Sequence, residues 1–528
     1  MKHQSTDETT GPDARRETGP DAERPTDRSH SGSDDPVPPR RFSRRRLLAA
    51  AAVGAAGVAG CAATDTSDPT DEPTDPDDGT GDGTDGPGDG SPTPGTETDG
   101  NGDGTPSPGS GTETDDGIEV GRPLASWAGY DPDWEPPTTS PLDADFETEV
   151  LVENLEIPWD LSFAPDGSLF ITERVGRVRR FNGDDLETVA EPAGAIDAGS
   201  LDPGSDESAW LIEGGEGGTL GIAVHPGFPN PPHVFLYYTY QTDDGRLNTV
   251  EVYDVEADDP SEPVRTVVDG IAGGTYHNGG RITFGPRNYL WITCGDGLDF
   301  SHAQDTSALA GKVLRVTPAG DPASGNPDLG DDADPRIFTY GHRNPQGLAW
   351  LPDGTTVVSE HGPGFGGDEF SRLEAGANYG WDAEETRTRR RTEYPSSDVH
   401  KPLYNTANTS FAPSGALFYT GDAVPALTDR LLVGGLASQQ LIVTTLTPSG
   451  GDLPPADEAY EQVVGADWSD DAYAATVHTT LKDELGRIRH VEQSPDGEIY
   501  ACTSNRDGRA SDGFPRETDD VLVRITQN

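Results

Sequence analysis

The chain of 528 residues reads as an all-β protein, a six-bladed β-propeller preceded by a disordered, exported N-terminal tether. Three observations predict this. A strand-turn-strand unit recurs from residue 159 onward, helical periodicity is nearly absent between the copies, and the first 120 residues hold one short apolar run and little else that can be buried.

The copies are WDLSFAPDGSLFITE (159–173), GIAVHPGFPNPPHVFLYYT (221–239), GRITFGPRNYLWITC (280–294), GLAWLPDGTTVVSE (347–360) and RHVEQSPDGEIYACT (489–503). Each is a short alternating strand, a turn built on Pro with Gly, Asn or Asp, and a second β-rich strand. A degenerate sixth copy fits GALFYTGDAVPALTDRLLVGG (415–435). The turns fall near Pro165, Pro226, Pro286, Pro352, Gly421 and Pro495, 60 to 74 residues apart. Four-stranded units repeating at that length point to a propeller, since a sandwich or a solenoid does not need so long a period. The best candidate for a short helix is TSALAGK (306–312).

Ahead of the repeat, residues 1–40 are polar, then Ser43-Arg44-Arg45-Arg46-Leu47-Leu48 leads into an apolar run from Ala49 to Gly60 and Cys61. A basic segment before a short apolar one is a secretory signal, because a membrane span needs about 20 apolar residues. The paired arginines point to twin-arginine export. Val58-Ala59-Gly60-Cys61 resembles a lipobox, which makes Cys61 a lipidated N-terminus and anchors the protein at the outer face of the cytoplasmic membrane. A plain signal followed by an incidental Cys is the alternative. The boundaries are thus 1–61 for the extended n-region and signal, 62–120 for an Asp/Gly/Thr/Pro-rich linker too poor in apolar groups to fold, and 140–528 for the propeller. Cys294 and Cys502 end strand patterns in equivalent repeat positions and are read as small buried apolar residues, not as a disulfide or metal pair.

Against 94 acidic residues stand 37 basic ones, a formal charge of −57. Nucleic-acid binding is excluded by that sign, since phosphate contacts need basic clusters. After residue 140 the lysines are Lys312, Lys401 and Lys482 alone. Acidic, lysine-poor surfaces suit concentrated salt, where self-repulsion is screened, so the chain reads as a halophile's. An acidic extracellular protein from ordinary salt is the alternative.

Equivalent points of successive blades lie in a ring, so the residues just before each inner strand should meet at one end of the channel. They are Pro158-Trp159-Asp160, Glu216-Gly217-Gly218, His277-Asn278, Arg343-Asn344, Pro413-Ser414 and Arg487. Near neutral pH a His accepts a proton from a hydroxyl, and a carboxylate behind it fixes tautomer and basicity. His277 has Asp296 placed to fold back on it; a structural hydrogen-bonding His is the competing reading. Arg343, one blade on, can stabilise charge growing on an oxygen or pin a loop as a salt bridge. The run Tyr340–Trp381 ends in a Gly/Pro-rich loop in which the carbonyls of Gly362 and Pro363, together with Asp368, Glu369 and the Tyr379 region, offer oxygens to a hard cation such as Ca²⁺. The spacing is not that of an EF-hand, and solvated surface acid is the alternative.

With these residues in hand, the chain resembles the soluble pyrroloquinoline-quinone (PQQ)-dependent glucose/aldose sugar dehydrogenases over residues 147–525. The motifs are IPWDLSFAPDG, GGTLGIAVHPGF, HNGGRITFGP, YGHRNPQGLAW, SEHGPGFGGDE, NYGW and GRIRHVEQSPDG. The resemblance implies PQQ and Ca²⁺ as cofactors, oxidation of an aldose at C1 to a lactone, and an external electron acceptor. By position, His277 resembles the catalytic base and Asp296 its supporting carboxylate. Arg343 and Asn344 resemble a cofactor- and substrate-contacting pair. Gly362 and Pro363 resemble carbonyl ligands of one calcium, and Glu369 and Tyr379 ligands of a second. Arg487 and Arg489 lie where basic residues clasp the cofactor's carboxylates, with Glu216 at another contact position. Ala437 stands where the family commonly has a Lys. A calcium-dependent propeller lactonase or esterase, and a non-catalytic propeller binding carbohydrate or protein, are the competing classes.

Overall fold

Inner strands begin at Pro158–Phe163, Thr219–Val224, Ile282–Phe284, Pro345–Trp350, Pro413–Tyr419 and Ile488–Gln493, and each opens a sheet of its own. The computed structural model that shows this describes residues 112–114, 117–198, 215–363, 366–382, 398–456, 461–511 and 513–528. The six sheets are antiparallel; five have four strands and the fifth has five. Inner strands of successive sheets pack side by side, and the sixth packs against the first. This is a six-bladed propeller. The second strand of a blade is buried because both of its faces are covered, along its whole length in Leu290–Cys294 and Leu169–Glu173. Leu290, Ile292 and Cys294 join Phe235, Val250 and Leu314 in one core, while Cys502 packs with Leu161, Leu169 and Ile171 in another. Both thiols are buried and unbridged, and burial pushes each up to about 12.

The ring closes by pairing distant parts of the chain. Strand Phe146–Val152 adds to the last blade beside Leu522–Gln527, with Phe146 opposite Gln527 and Val152 opposite Leu522. Ahead of it, residues 117–145 form a strap. Gly121 N–H donates to the Arg287 carbonyl at 2.9 Å and Asp131 N–H to that of Pro352 at 3.0 Å, and Trp134 packs edge-on against Phe418 at 5.3 Å. These contacts fall on the turns after the inner strands, so the strap lies at the opposite end of the blades from His277 and Arg343. Ile118 and Val120 are buried in the blade core, which corrects the linker boundary at 120. The signal, Cys61 and most of the linker lie outside the described residues.

The expected helix over 306–312 is absent. Residues 306–311 form turns, and Lys312 opens the strand Lys312–Val316. Gly311 takes a positive φ of 70° so that its N–H reaches the Gly295 carbonyl. The Lys312 ammonium is buried on the carbonyls of His302 (2.5 Å), Ala310 (2.8 Å) and Ala303 (3.3 Å). Tertiary hydrogen bonding thus overrides a locally helical sequence.

Inner-strand entry is irregular in five blades, with register breaks between Pro158 and Asp160, Thr219 and Ile222, Pro345 and Gly347, Pro413 and Ala416, and Ile488 and His490. A bulge re-aims the side chains around it. Asp160, expected at the mouth with Glu216 and His277, is instead turned into the channel. There its Oδ1 pairs with Arg281 Nη1, and its Oδ2 accepts the Ile222 N–H at 3.0 Å. Arg281 also donates to the Gln346 carbonyl at 2.9 Å and stacks on Trp159 at 4.3 Å. His490 Nε2 lies 3.4 Å from Asp160 and 3.1 Å from Glu492. A side chain at Gly415 would collide with the His490 ring, so Gly keeps the axis open. Removing one member of a buried ion pair strands the other charge, at a cost of about 3–5 kcal/mol. Arg281→Met is therefore expected to lower stability by about that amount in chemical denaturation, and Asp160→Leu added to it should recover most of the loss.

Candidate functional site

At the entry end of the inner strands, His277 sits in a left-handed conformation, φ 62°. The backbone passes so close there that a Cβ on Gly295 would lie 2.0 Å from the His277 carbonyl oxygen, which is why the loop Gly295-Asp296-Gly297 carries glycine. This close passage brings the Asp296 carboxylate to 2.8 Å from His277 Nδ1. An ionised carboxylate only accepts, so Nδ1 carries the proton and Nε2 is left as the basic nitrogen. Asp296 is fully buried and held from three sides: Oδ1 also takes the Leu298 N–H at 2.8 Å, and Oδ2 takes Trp381 Nε1–H at 2.8 Å. The sequence pairing of His277 with Asp296 is thus realised in space.

Arg343 joins them. Its guanidinium lies over Trp381 at 5.5 Å and donates to the His361 carbonyl at 3.3 Å. Its backbone N–H is taken by Glu360, whose other oxygen is 2.8 Å from His342 Nδ1. Burial lowers the Arg343 guanidinium below its ordinary value, against the pull of Asp296 and Glu216. Asn344 is differently employed: its Oδ1 accepts the Gly279 N–H at 3.0 Å, tying the Arg343 and His277 loops together.

Two further arginines form the floor. Arg487 is buried against Asp507, with Nη2 to Oδ2 at 2.7 Å, and donates to the carbonyls of Ser504 and Leu436 at 3.2 Å. Arg489 makes only long contacts, to Gln346 Oε1 (3.3 Å), Asp507 (3.4 Å) and Ser414 Oγ (3.5 Å), and its Nε has no hydrogen-bond partner. Burial pulls it down to about 9, with Arg487 and Arg174 adding to the depression and Asp507 opposing it. A buried, under-satisfied guanidinium beside others is a fit for a polyanion. Beside them His361 Nε2 is buried without a partner, and burial takes the ring down to about 3, so it is neutral.

Glu216 closes the ring from the second blade. Its Oε2 accepts the His277 N–H at 3.1 Å and its Oε1 pairs with Arg509 at 2.9 Å. Arg174, fully buried, donates to the carbonyls of Gly215 and Gly217 on either side and so presents Glu216. Burial favours the protonated acid, but the facing Arg509 and the His277 N–H outweigh it and hold Glu216 down at about 2.

The cation-binding residues divide. Gly362 and Pro363 sit on the turn beside Arg343, and the Pro363 carbonyl accepts the Gly366 N–H at 2.9 Å. Asp368, read as a cation ligand, anchors the loop through hydrogen bonds. Its Oδ1 takes the Gly362 N–H at 2.8 Å, while Oδ2 takes Phe411 N–H (2.6 Å), Ala412 N–H (2.9 Å) and Ser410 Oγ (3.1 Å). Glu369 accepts from Asn405 Nδ2 at 2.9 Å on the strand Glu369–Arg372. The Tyr379 hydroxyl is also spent, donating to the Arg372 carbonyl at 2.6 Å and accepting the Glu374 N–H at 3.0 Å, with its ring stacked on His342. Among the described residues no three His, Cys, Asp or Glu side chains form a metal cluster. Sequence reasoning passed over Arg174, Glu360, His361, Trp381, Asp507 and Arg509. Trp381 left a signal as the end of NYGW, and Glu360 and His361 left one within SEHGPGFGGDE.

A family model described as Glucose / Sorbosone dehydrogenase matches residues 155–512. The aldose sugar dehydrogenase YliI of Escherichia coli is 29% identical over 398 residues, 72% of this chain and 95% of that protein. Among solved structures, an oxidoreductase (glucose dehydrogenase) from Thermus thermophilus is 36% identical, with 72% of this chain and all of that one covered and a TM-score of 0.57. The PQQ-bound aldose sugar dehydrogenase of Streptomyces coelicolor is 28% identical, with 74% and 100% covered and a TM-score of 0.55.

Because the folded-state value of Glu216 lies below its ordinary 4.5, its ion pair stabilises the fold above that pH and is lost as pH falls toward about 2. Melting temperatures of wild type and Glu216→Gln should therefore differ most at pH 5 and above and converge as pH falls to 2. A constant gap across that window would contradict the assignment.

Proposed function

The chain belongs to the glucose/sorbosone dehydrogenase family, and we propose that it oxidises an aldose at C1 to its lactone, with PQQ and Ca²⁺ as cofactors and an external electron acceptor. The observation that carries this reading is the convergence, on one mouth of the channel, of the His277–Asp296 pair, Arg343 and the floor arginines Arg487 and Arg489. A lactonase needs a cation but no set of arginines facing a polyanion.

Within this site the chain's own groups have separate tasks. His277 Nε2 takes the proton from the anomeric hydroxyl, and Asp296 stabilises the imidazolium that forms. Trp381, by fixing Asp296 Oδ2, keeps that carboxylate aimed at Nδ1. Arg343 stabilises negative charge growing on the sugar oxygen without having to reorganise. Arg487 and Arg489 would hold the carboxylates of the quinone, and the Gly362 and Pro363 carbonyls would hold the Ca²⁺. Hydride acceptance from C1, helped by polarisation of a quinone carbonyl by the metal, is the chemistry the bound cofactors supply.

For cellular placement, we propose export through the Arg44–Arg46 signal and lipid anchoring at Cys61 at the outer face of the cytoplasmic membrane, the reading supported by the order basic, apolar, Cys. The acidic, lysine-poor composition supports work in high salt.

Purified protein in high salt, given PQQ and Ca²⁺, is expected to bind the quinone and reduce a dye when an aldose is added. No binding at saturating quinone would sink the reading. His277→Ala should keep quinone binding but lose about 10²–10⁴-fold in turnover; full activity would refute the assigned base.

A further inference from the structure

Among the described residues, five guanidinium groups stand around the mouth, those of Arg174, Arg343, Arg487, Arg489 and Arg509, and their environments differ. Arg174 is committed to two backbone carbonyls, Arg487 to Asp507 and carbonyls, and Arg489 to the floor. These three are buried, whereas the Arg509 side chain keeps 40% of its surface open. It lies over the Tyr276 ring at 5.5 Å, next to the base His277. The loop that carries it is pinned at both ends. The Arg509 N–H donates to Asp507 Oδ1 at 3.1 Å, and the Ser511 N–H donates to Gln439 Oε1 at 3.0 Å. Arg509 thus stands between the floor carboxylate that holds Arg487 and the Glu216 carboxylate that holds the His277 backbone.

Glu216 is an anion facing a site built for an anion, which is a conflict unless its charge is covered. Arg509 covers it, through an ion pair at the solvent edge. Resting on the quinone reading above, we propose that Glu216 and Arg509 form an exchangeable latch, in which Arg509 moves from Glu216 to a carboxylate of the bound quinone during loading. The positive charge is shared between two anions, so the protein's own carboxylate competes with the cofactor's for it. A ligand shifts such an equilibrium only by its differential interaction with the two states, and here that difference lies in one guanidinium. Because Glu216 Oε2 also accepts the His277 N–H, release of the latch is felt at the backbone of the base. Glu216 is therefore a positioning residue, and Arg509 a further cofactor-binding one.

The test titrates PQQ, with Ca²⁺ present in high salt, into full-length wild type, Arg509→Gln, Glu216→Gln and Arg509→Lys, reading the dissociation constant from quinone absorbance. Exchange predicts opposite signs. Arg509→Gln leaves an uncovered carboxylate beside a polyanion and should weaken binding about tenfold or more, while Glu216→Gln removes the competitor and should tighten it several-fold. Arg509→Lys, which keeps the charge and safeguards against a folding artefact, should stay within about threefold of wild type. Weakening by both neutral variants would mean that the pair is a static brace, and no change in either would remove it from the binding site; each result overturns the latch. Failure of wild type to bind PQQ would overturn the functional reading as well, so the two failures are distinguishable.

Discussion

One buried guanidinium on the propeller axis is the constraint from which the rest of the molecule follows. Arg281 comes from the third blade, pairs with Asp160 of the first and donates to Gln346 of the fourth. Asp160 in turn takes an N–H from Ile222 of the second blade and faces His490 of the sixth, while the fifth contributes Gly415, whose missing side chain leaves the room. Sheets whose apolar contacts bind without direction are thereby set in angular register by hydrogen bonds, which have one.

That register reaches the site through Gln346. Its carbonyl belongs to the axial cluster and its side-chain oxygen receives Arg489 and Ser414. The floor of the mouth therefore stands directly on the plug of the channel. Around the floor the polar groups are arranged in tiers. Asp507 keeps Arg487 neutralised, Glu360 holds the His342–Arg343 segment, and Trp381 holds Asp296. Each side chain assigned to chemistry is thus fixed by a neighbour that takes no part in it, which is the condition for a preorganised site.

Burial decides how these groups are charged. Below the floor, burial and the nearby Asp160 push Glu492 up to about 8, while burial, with Arg281, takes His490 well below its ordinary range. The axial cluster therefore carries one firm ion pair flanked by groups that prefer neutrality. At the mouth the balance reverses, since Glu216 remains an anion despite its burial because Arg509 faces it. A protein with a formal charge of −57 thus keeps a locally basic pocket by surrounding a few carboxylates with arginines and leaving its surplus acid elsewhere.

The repeat of alternating strands and Pro-containing turns was enough to determine the all-β class, the number of blades and the order in which they follow, because period-2 burial and turn chemistry are local properties of the chain. The pairing of His277 with Asp296 was legible too, since both flank the same two strands. What the sequence could not show depends on contacts across blades. Asp160 was read as a mouth residue because its repeat position matches Glu216 and His277, yet the bulge between Pro158 and Asp160 turns it inward. Asp368 was read as a cation ligand, and the loop ending at Ala412, which folds over it and donates to its Oδ2, was not foreseen. TSALAGK has helical propensity, but the carbonyls gathered by Lys312 outweigh it. Arg509 reaches Glu216 across 293 positions of sequence, and Arg174 clamps a turn 43 positions away. Such partners leave no periodic trace. A bulge or a long-range ion pair is selected by the energy of the assembled ring, and that energy exists only once the blades have met.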